Sequence, residues 1–271
     1  DDVLSLSYRA SCLLRVPAKN HSKKNTFPES VGQFVFPIGV QFSVKELPTE
    51  THSFVLTKVN GDLTYGICLV HSEKLSQPRF DAVLQLARSR LGDAGERRHW
   101  PKELFVPVGL CILSRCEYVG EFSTFLRSFH RELVTSRFQA THLIQAIILL
   151  GSAKIAPMTY FNHPQVVIGG AVIRFKPRRT HEFPPLSICA EEALITFCAS
   201  DILLLVAAIL QERQFLFLSK QPCRLLPCIQ ALLAFIYPFK WAHVFIPVLP
   251  LNVLDFLDAP MPFIFGTHPD A

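Results

Sequence analysis

The side chains able to do chemistry in this 271-residue chain are many but not gathered. Eight cysteines stand at positions 12, 68, 111, 116, 189, 198, 223 and 228. Cys111 with Cys116 and Cys223 with Cys228 are five residues apart, lack histidines at ligand spacing and sit in apolar runs. They read as small buried hydrophobes rather than zinc ligands, and as reduced thiols of a cytosolic protein. Glu191-Glu192 is an adjacent acid pair on which nothing converges, and it reads as a solvated element end. The ten histidines are scattered, and no motif supports a Cys or Ser nucleophile working with one of them. A Gly-rich phosphate loop, G-x-G-x-x-G and G-x-S-x-G are all missing, in keeping with only 12 glycines. The expectation is a chain with no catalytic residues, no metal and no cofactor.

The elements that would position these groups change character along the chain. Residues 1–27 have little periodicity, and Asn20 to Asn25 reads as a loop. Phe34-Val35-Phe36 reads as a short strand stopped by Pro37 and Gly39. Ser53–Thr57 and Thr64–Val70 are β-rich runs about Asn60-Gly61, a hairpin. A helix is predicted over Phe80–Leu91 and a strand over Phe105–Leu113. Phe122, Phe125, Leu126, Phe129 and Leu133 recur at spacings of three and four, the apolar stripe of a helix over Glu121–Val134. Ala140–Leu150 reads as an apolar helix, Val166–Ile168 and Ala171–Ile173 as a hairpin about Gly169-Gly170, and Lys176–Pro185 as a loop. A buried helix over Asp201–Arg213 follows, N-capped by Ser200. Then come a fully buried strand at Phe215–Ser219 and a helix over Pro222–Tyr237 that must kink or start late at Pro227. Val244–Ile246, Leu251–Leu257 and Phe263–Phe265 read as strand, helix and strand. Residues 1–135 are thus expected to form an α+β lobe, 136–185 a connecting segment, and 186–271 an α/β lobe with partly parallel pairing.

Composition narrows the classes. Apolar residues make up 49% and charged residues 18%, with a mean hydropathy of +0.29, so part of the surface is expected to be covered by a following domain or a partner. The longest apolar run, Ile202–Leu210, lies between Asp201 and Glu212 and is about half the length a bilayer requires. The net charge of +5 comes from clusters at Lys23-Lys24, Arg88–His99 and Lys176–Arg179. These read as solvated loops, with contact to an anionic membrane or an acidic partner as the second reading. Nucleic acid is disfavoured, because no aromatic interleaving accompanies the basic residues.

Several segments resemble the DENN domain family, in the order that family shows them. In the first half these are Pro28-Glu29 with Phe34–Gly39, Phe54–Thr57 with Gly61 and Tyr65–Cys68, and Phe105-Val106-Pro107 through Ser114. In the second half they are Leu210–Arg213 leading into Phe217-Leu218-Ser219, then Tyr237-Pro238-Phe239-Lys240-Trp241, Ile246–Pro250, and Asp258–Phe263 with Gly266. Ile38 stands where family members often carry an acidic residue.

The resemblance implies a longin-like N-terminal lobe of antiparallel sheet with helices, an upstream DENN portion, and a C-terminal α/β sandwich, the central DENN portion. It also implies a downstream helical portion of the same protein packed on the second lobe. The implied function is guanine nucleotide exchange on a Rab-family small GTPase. The GTPase would be bound between the lobes, with its switch regions remodelled and no covalent step. A non-catalytic scaffold of the same fold is the alternative. The implied setting is membrane trafficking, in the cytoplasm or peripherally on vesicle or organelle membranes. GTPase contacts are assigned to Gln41 and Phe42 in the first lobe and to Glu212, Arg213 and His243 in the second. Pro238, Trp241, Pro247, Pro250, Pro260 and Pro262 are the structural signature that holds the second lobe together.

Overall fold

Strand β1 (Glu50–Thr57) and strand β2 (Leu63–Lys74) form the antiparallel hairpin expected from the sequence, and β2 pairs on its other side with β3 (Phe105–Ser114). The protein is represented by a computed structural model that describes residues 6–17, 27–57, 61–91, 101–135, 144–145, 147–148, 150–151, 165–175 and 187–269. The predicted loops at Asn20–Asn25 and Lys176–Pro185 lie outside these residues, as does much of the Ala140–Leu150 helix. So do all three basic clusters except residues 88–91, which fall in helix α2 (Gln77–Leu91).

Both faces of the antiparallel sheet are covered, and the period-2 alternation of β2 divides its side chains between them. Ile67 and Leu69 face helix α3 (Val119–Thr135), meeting Phe122, Phe125, Leu126 and Phe129. Leu133, expected on that apolar stripe, is exposed in the last turn. A second hairpin, β4 (Gln165–Ile168) and β5 (Ala171–Arg174), packs Val166, Ile168 and Ile173 against the same cluster. Its two-residue turn puts Gly169 at φ +55° and Gly170 at φ +77°, the left-handed pair that a tight hairpin requires.

The opposite face carries a correction. Phe34-Val35-Phe36 was expected as a strand, but Val31–Val35 forms a short helix, α1. Val31, Phe34 and Val35 are the buried residues, spaced i, i+3, i+4, and that helical period decides the conformation. The Phe34 ring lies 5.2 Å from Phe54, and the Phe34 carbonyl hydrogen-bonds the buried His52 Nε2 at 3.0 Å. Gly109 on β3 lets α1 approach, because a Cβ there would collide with Val35.

The second half alternates helix and strand, as its sequence suggests. Helices α4 (Ser187–Thr196) and α5 (Ala199–Leu210) lead to strand β6 (Phe215–Leu218), and helix α6 (Pro222–Phe235) leads to β7 (Val244–Ile246). A 3-10 stretch, Leu251–Asp258, precedes strand β8 (Phe263–Thr267). The strands form a parallel sheet in the order β6-β8-β7. The fold is therefore mixed, an antiparallel sheet first and a parallel sheet later.

Local expectations change at three elements. Helix α5 is not buried: Ile202 and Ile209 point inward, but Leu203 and Leu204 are 71% and 72% exposed. Its N-cap position is Cys198, which makes no side-chain capping bond, and Ser200 lies inside the first turn. Strand β6 is an edge strand, with β8 as its sole neighbour among the described residues, and its alternation leaves Leu216 and Leu218 exposed on one face. Of the two outcomes expected at Pro227, a kink or a late start, the late start does not occur. Pro222 occupies its first turn, where a missing N–H leaves no bond unmade, and Pro227 lies inside it.

Helix α6 joins the two halves. Leu225 packs with Phe34, Phe54 and Cys68, while Leu226 and Ile229 pack with Val55, Phe245 and Ile264. Thr57 Oγ1 donates to the Phe245 carbonyl at 3.2 Å, and the Leu251 amide donates to the Pro37 carbonyl at 3.0 Å. The two sheets share apolar cores along this seam.

Two measurements test the packing. A Cβ on Gly266 would run into the Pro247 carbonyl oxygen and stand 3.1 Å from Leu225 Cδ2, so Gly266→Ala should lower the unfolding free energy in urea by about 1–3 kcal/mol. Burial pushes the His52 imidazole below its ordinary value of 6.5, against a smaller raising effect from the Phe34 carbonyl. Below that pH the unfolded chain takes up a proton that the folded chain refuses. Stability should be full above pH 6.5 and fall below it, and His52→Gln should flatten that fall in pH-dependent denaturation curves.

Candidate functional site

Three of the sequence-selected residues meet at the N-terminal edge of the parallel sheet. Glu212 and Arg213 close α5 just before β6, and His243 immediately precedes β7. The Arg213 amide bonds the Ala208 carbonyl at 3.2 Å and the Glu212 amide bonds the Ile209 carbonyl at 2.9 Å, the paired bonds of a left-handed helix stop. Glu212 supplies the left-handed residue, at φ +55°, where glycine is usual and a Cβ is disfavoured.

That strained backbone aims the Glu212 carboxylate across the edge. Its Oε1 lies 3.2 Å from His243 Nε2, off hydrogen-bond alignment, so the contact becomes an ion pair when the imidazole is protonated. The His243 ring sits edge-on to Trp241 at 5.1 Å, and Trp241 Nε1 donates to the Val244 carbonyl at 3.2 Å. Beside them, Gln214 Nε2 donates to the carbonyls of Ala259 and Met261 at 2.9 and 3.1 Å, fixing the entry to β6 against the entry to β8. Arg213 extends into solvent with its Nε 3.4 Å from Gln211 Oε1.

Large apolar groups stand exposed on the same edge: Phe239 at 68%, Met261 at 50% and Tyr237 at 41%. Aromatics, Met and Arg around a charged rim are the composition of a protein-recognition patch. Among the described residues no three His, Cys, Asp or Glu side chains are grouped as metal ligands.

The remaining candidates lie elsewhere. Gln41 is exposed, and Phe42 packs edge-on to Tyr8 at 5.4 Å and against the cluster of Phe80, Leu84 and Leu104. Ser43 bridges to Phe105, which pairs with Lys74 at the far end of β2, whereas Thr57 at the near end of the hairpin touches β7. The length of β2 puts roughly 35 Å between these ends, so Gln41 and Phe42 do not join the cluster around His243. Pro247 and Pro250 are buried where the chain crosses β8, and Leu249 donates to the Gly266 carbonyl at 2.6 Å. Pro262 is half-buried at the start of β8, and Pro238 and Pro260 are exposed.

Sequence reasoning did not select Phe239, Tyr237 or Met261 as contact residues, although all three fall within the segments quoted for the resemblance. The available signal was aromatic and Met side chains beside prolines in strand-entry segments, where they extend no apolar period. A second feature was missed because it assembles from distant parts of the chain. A cavity of about 460 Å³ lies between the start of β1, α3 and the start of α6, lined by Thr51, Arg127, His130 and Cys223 among others. Arg127 donates to Thr51 Oγ1 at 2.6 Å, and burial, then the neighbouring His71, push the His130 imidazole down.

The site is thus an exposed apolar and charged patch at the edge of a parallel sheet that shares its core with an antiparallel one. The chain belongs to the DENN domain family: the model of the DENN (AEX-3) domain matches residues 105–271 and that of the uDENN domain matches residues 10–71. It is 29% identical over 250 residues to DENN domain-containing protein 2D of Homo sapiens, covering 89% of this chain and 45% of that protein. It is 27% identical over 252 residues to DENN domain-containing protein 2A of Mus musculus, covering 88% and 21%. With DENN domain-containing protein 1B of Homo sapiens it shares 27% over 249 residues, covering 89% and 29%. The chain thus spans less than half the length of these relatives.

If Glu212 is kept for its carboxylate at the cost of its backbone, replacing it will separate the two. Glu212→Gly should raise the unfolding free energy by about 0.5–1 kcal/mol in chemical denaturation, while removing the acidic group from the patch.

Proposed function

We propose that this chain is the GTPase-engaging part of a guanine nucleotide exchange factor for a Rab-family small GTPase. Membership of the DENN family carries the reading. The exposed patch of Glu212, Arg213, His243, Tyr237, Phe239 and Met261 supports it with a surface of suitable composition. On this reading residues 1–135 are the longin-like lobe and 186–271 the α/β sandwich, with 136–185 connecting them. A downstream helical portion of the same protein would cover the exposed leucines of α5. The protein would act in the cytoplasm, recruited to vesicle or organelle membranes, with its basic clusters toward anionic lipid.

The proposed mechanism is differential binding. An exchange factor that holds the nucleotide-free GTPase more tightly than the GDP-bound form lowers the barrier to GDP release. A thousandfold acceleration requires about 4 kcal/mol of such preference. Aromatic anchors suit the task, because they lose little conformational freedom on docking. Glu212, whose backbone is set by the helix stop and whose carboxylate reaches toward His243, adds an acidic group beside them.

A panel of Rab proteins loaded with fluorescent GDP tests the proposal. At least one member should release nucleotide faster on addition of the folded chain, and Phe239→Ala or Glu212→Ala should each reduce that acceleration roughly tenfold. No acceleration of any Rab would refute exchange activity. Stable binding without acceleration would establish the scaffold reading instead.

A further inference from the structure

The fold pairs two cysteines that the sequence separates. Cys68 on β2 and Cys111 on β3 are direct cross-strand partners, so both side chains leave the same face of the sheet, toward α1 and α6. Opposed Cα atoms in an antiparallel ladder stand about 4.5–5.5 Å apart, within the roughly 4.4–6.8 Å that a disulfide spans. A bond between them would need rotamer changes and no backbone displacement. Both side chains belong to the same apolar cluster as Val35, Phe54 and Leu225. Strand β3 is the outer strand of its sheet among the described residues, and Cys111 is half-buried there while Cys68 is fully enclosed.

We infer that Cys68 and Cys111 are a redox-modifiable pair that closes to a cross-strand disulfide on exposure to a small-molecule disulfide such as oxidised glutathione. The Cys111 thiolate, the one reachable when the outer strand opens, attacks a sulfur of the reagent. The reagent's S–S bond breaks, one thiolate leaves and takes a proton, and Cys111 is held as a mixed disulfide. The Cys68 thiol then loses its proton, attacks the Cys111 sulfur and displaces the second small thiol. Two protein thiols are oxidised and one small disulfide is reduced to two thiols. Burial and the neighbouring Cys111 push the Cys68 thiol well above its ordinary value, which assigns it the second, intramolecular step. The product staples β3 to β2 across the loop that carries α2, and it stabilises by restricting the unfolded chain.

The test uses the folded chain incubated with oxidised glutathione until the exposed Cys116 is converted to its mixed disulfide, an internal control for the oxidant. Free thiols are then alkylated in denaturant, and the protein is digested without reduction and mapped by mass spectrometry. The expected result is one linked peptide pair containing Cys68 and Cys111, with a thermal midpoint raised by roughly 5 °C or more. Reductant should reverse the shift, and Cys111→Ser should abolish it. Recovery of both residues as alkylated thiols, or a link from either to another cysteine, overturns the assignment. A linked pair that lowers the midpoint overturns the stapling role.

Discussion

The structure depends on one helix having apolar residues on more than one side. In α6 the side chains of Leu225, Leu226, Ile229 and Leu232 are buried against different partners: the antiparallel sheet with α1, the parallel sheet, and α5. Each fully buried side chain of this kind is worth about 1.5–3 kcal/mol in removal from water. No single partner could bury them all, so the helix is stable only when both sheets are in place. The two sheets exchange few hydrogen bonds, and α6 is the wedge that makes them one body. The exposed patch at the edge of the parallel sheet rests on that arrangement, since Trp241 packs beside Leu233 and Ile229 and meets the His243 ring in turn.

Much of the fold was legible in the sequence where one physical rule acted alone. The hairpin of β1 and β2 announced itself through β-branched runs and an intervening glycine, and α3 through Phe122, Phe125, Leu126 and Phe129 at helical spacing. The parallel pairing followed from alternation of helix and strand. Failures came where two rules compete over a short span. Phe34-Val35-Phe36 satisfies strand composition, and the helical alternative needs Val31 to complete its period. Leucines 203 and 204 in α5 and 216 and 218 in β6 read as interior because hydrophobicity alone cannot tell a covered face from an uncovered one.

The site was legible only in part, for a different reason. Glu212, Arg213 and His243 were chosen for charge beside element ends, and the chain does bring them together. The left-handed backbone at Glu212 left no trace, because Gln-Glu-Arg-Gln contains no residue that favours that conformation. Gln41 and Phe42 were chosen for their place after an expected strand; once that segment became a helix, the loop ran to the other end of the sheet. Spatial neighbourhood of distant loops is a property of topology, and local patterns do not encode it.

The covering of β2 on both faces has a consequence for how its alignment is specified. An ordinary half-exposed strand is held in register by polarity, because a slip of one residue turns its apolar side chains to water. Here a slip would exchange one buried face for another and meet no such penalty. Size takes over the task. The Phe54 ring occupies the space above Gly66, and Val35 occupies the space above Gly109, so two residues without side chains act as sockets that admit one alignment of the three strands. The information that fixes this sheet is carried by absences of volume at Gly66 and Gly109 as much as by the hydrophobic residues around them.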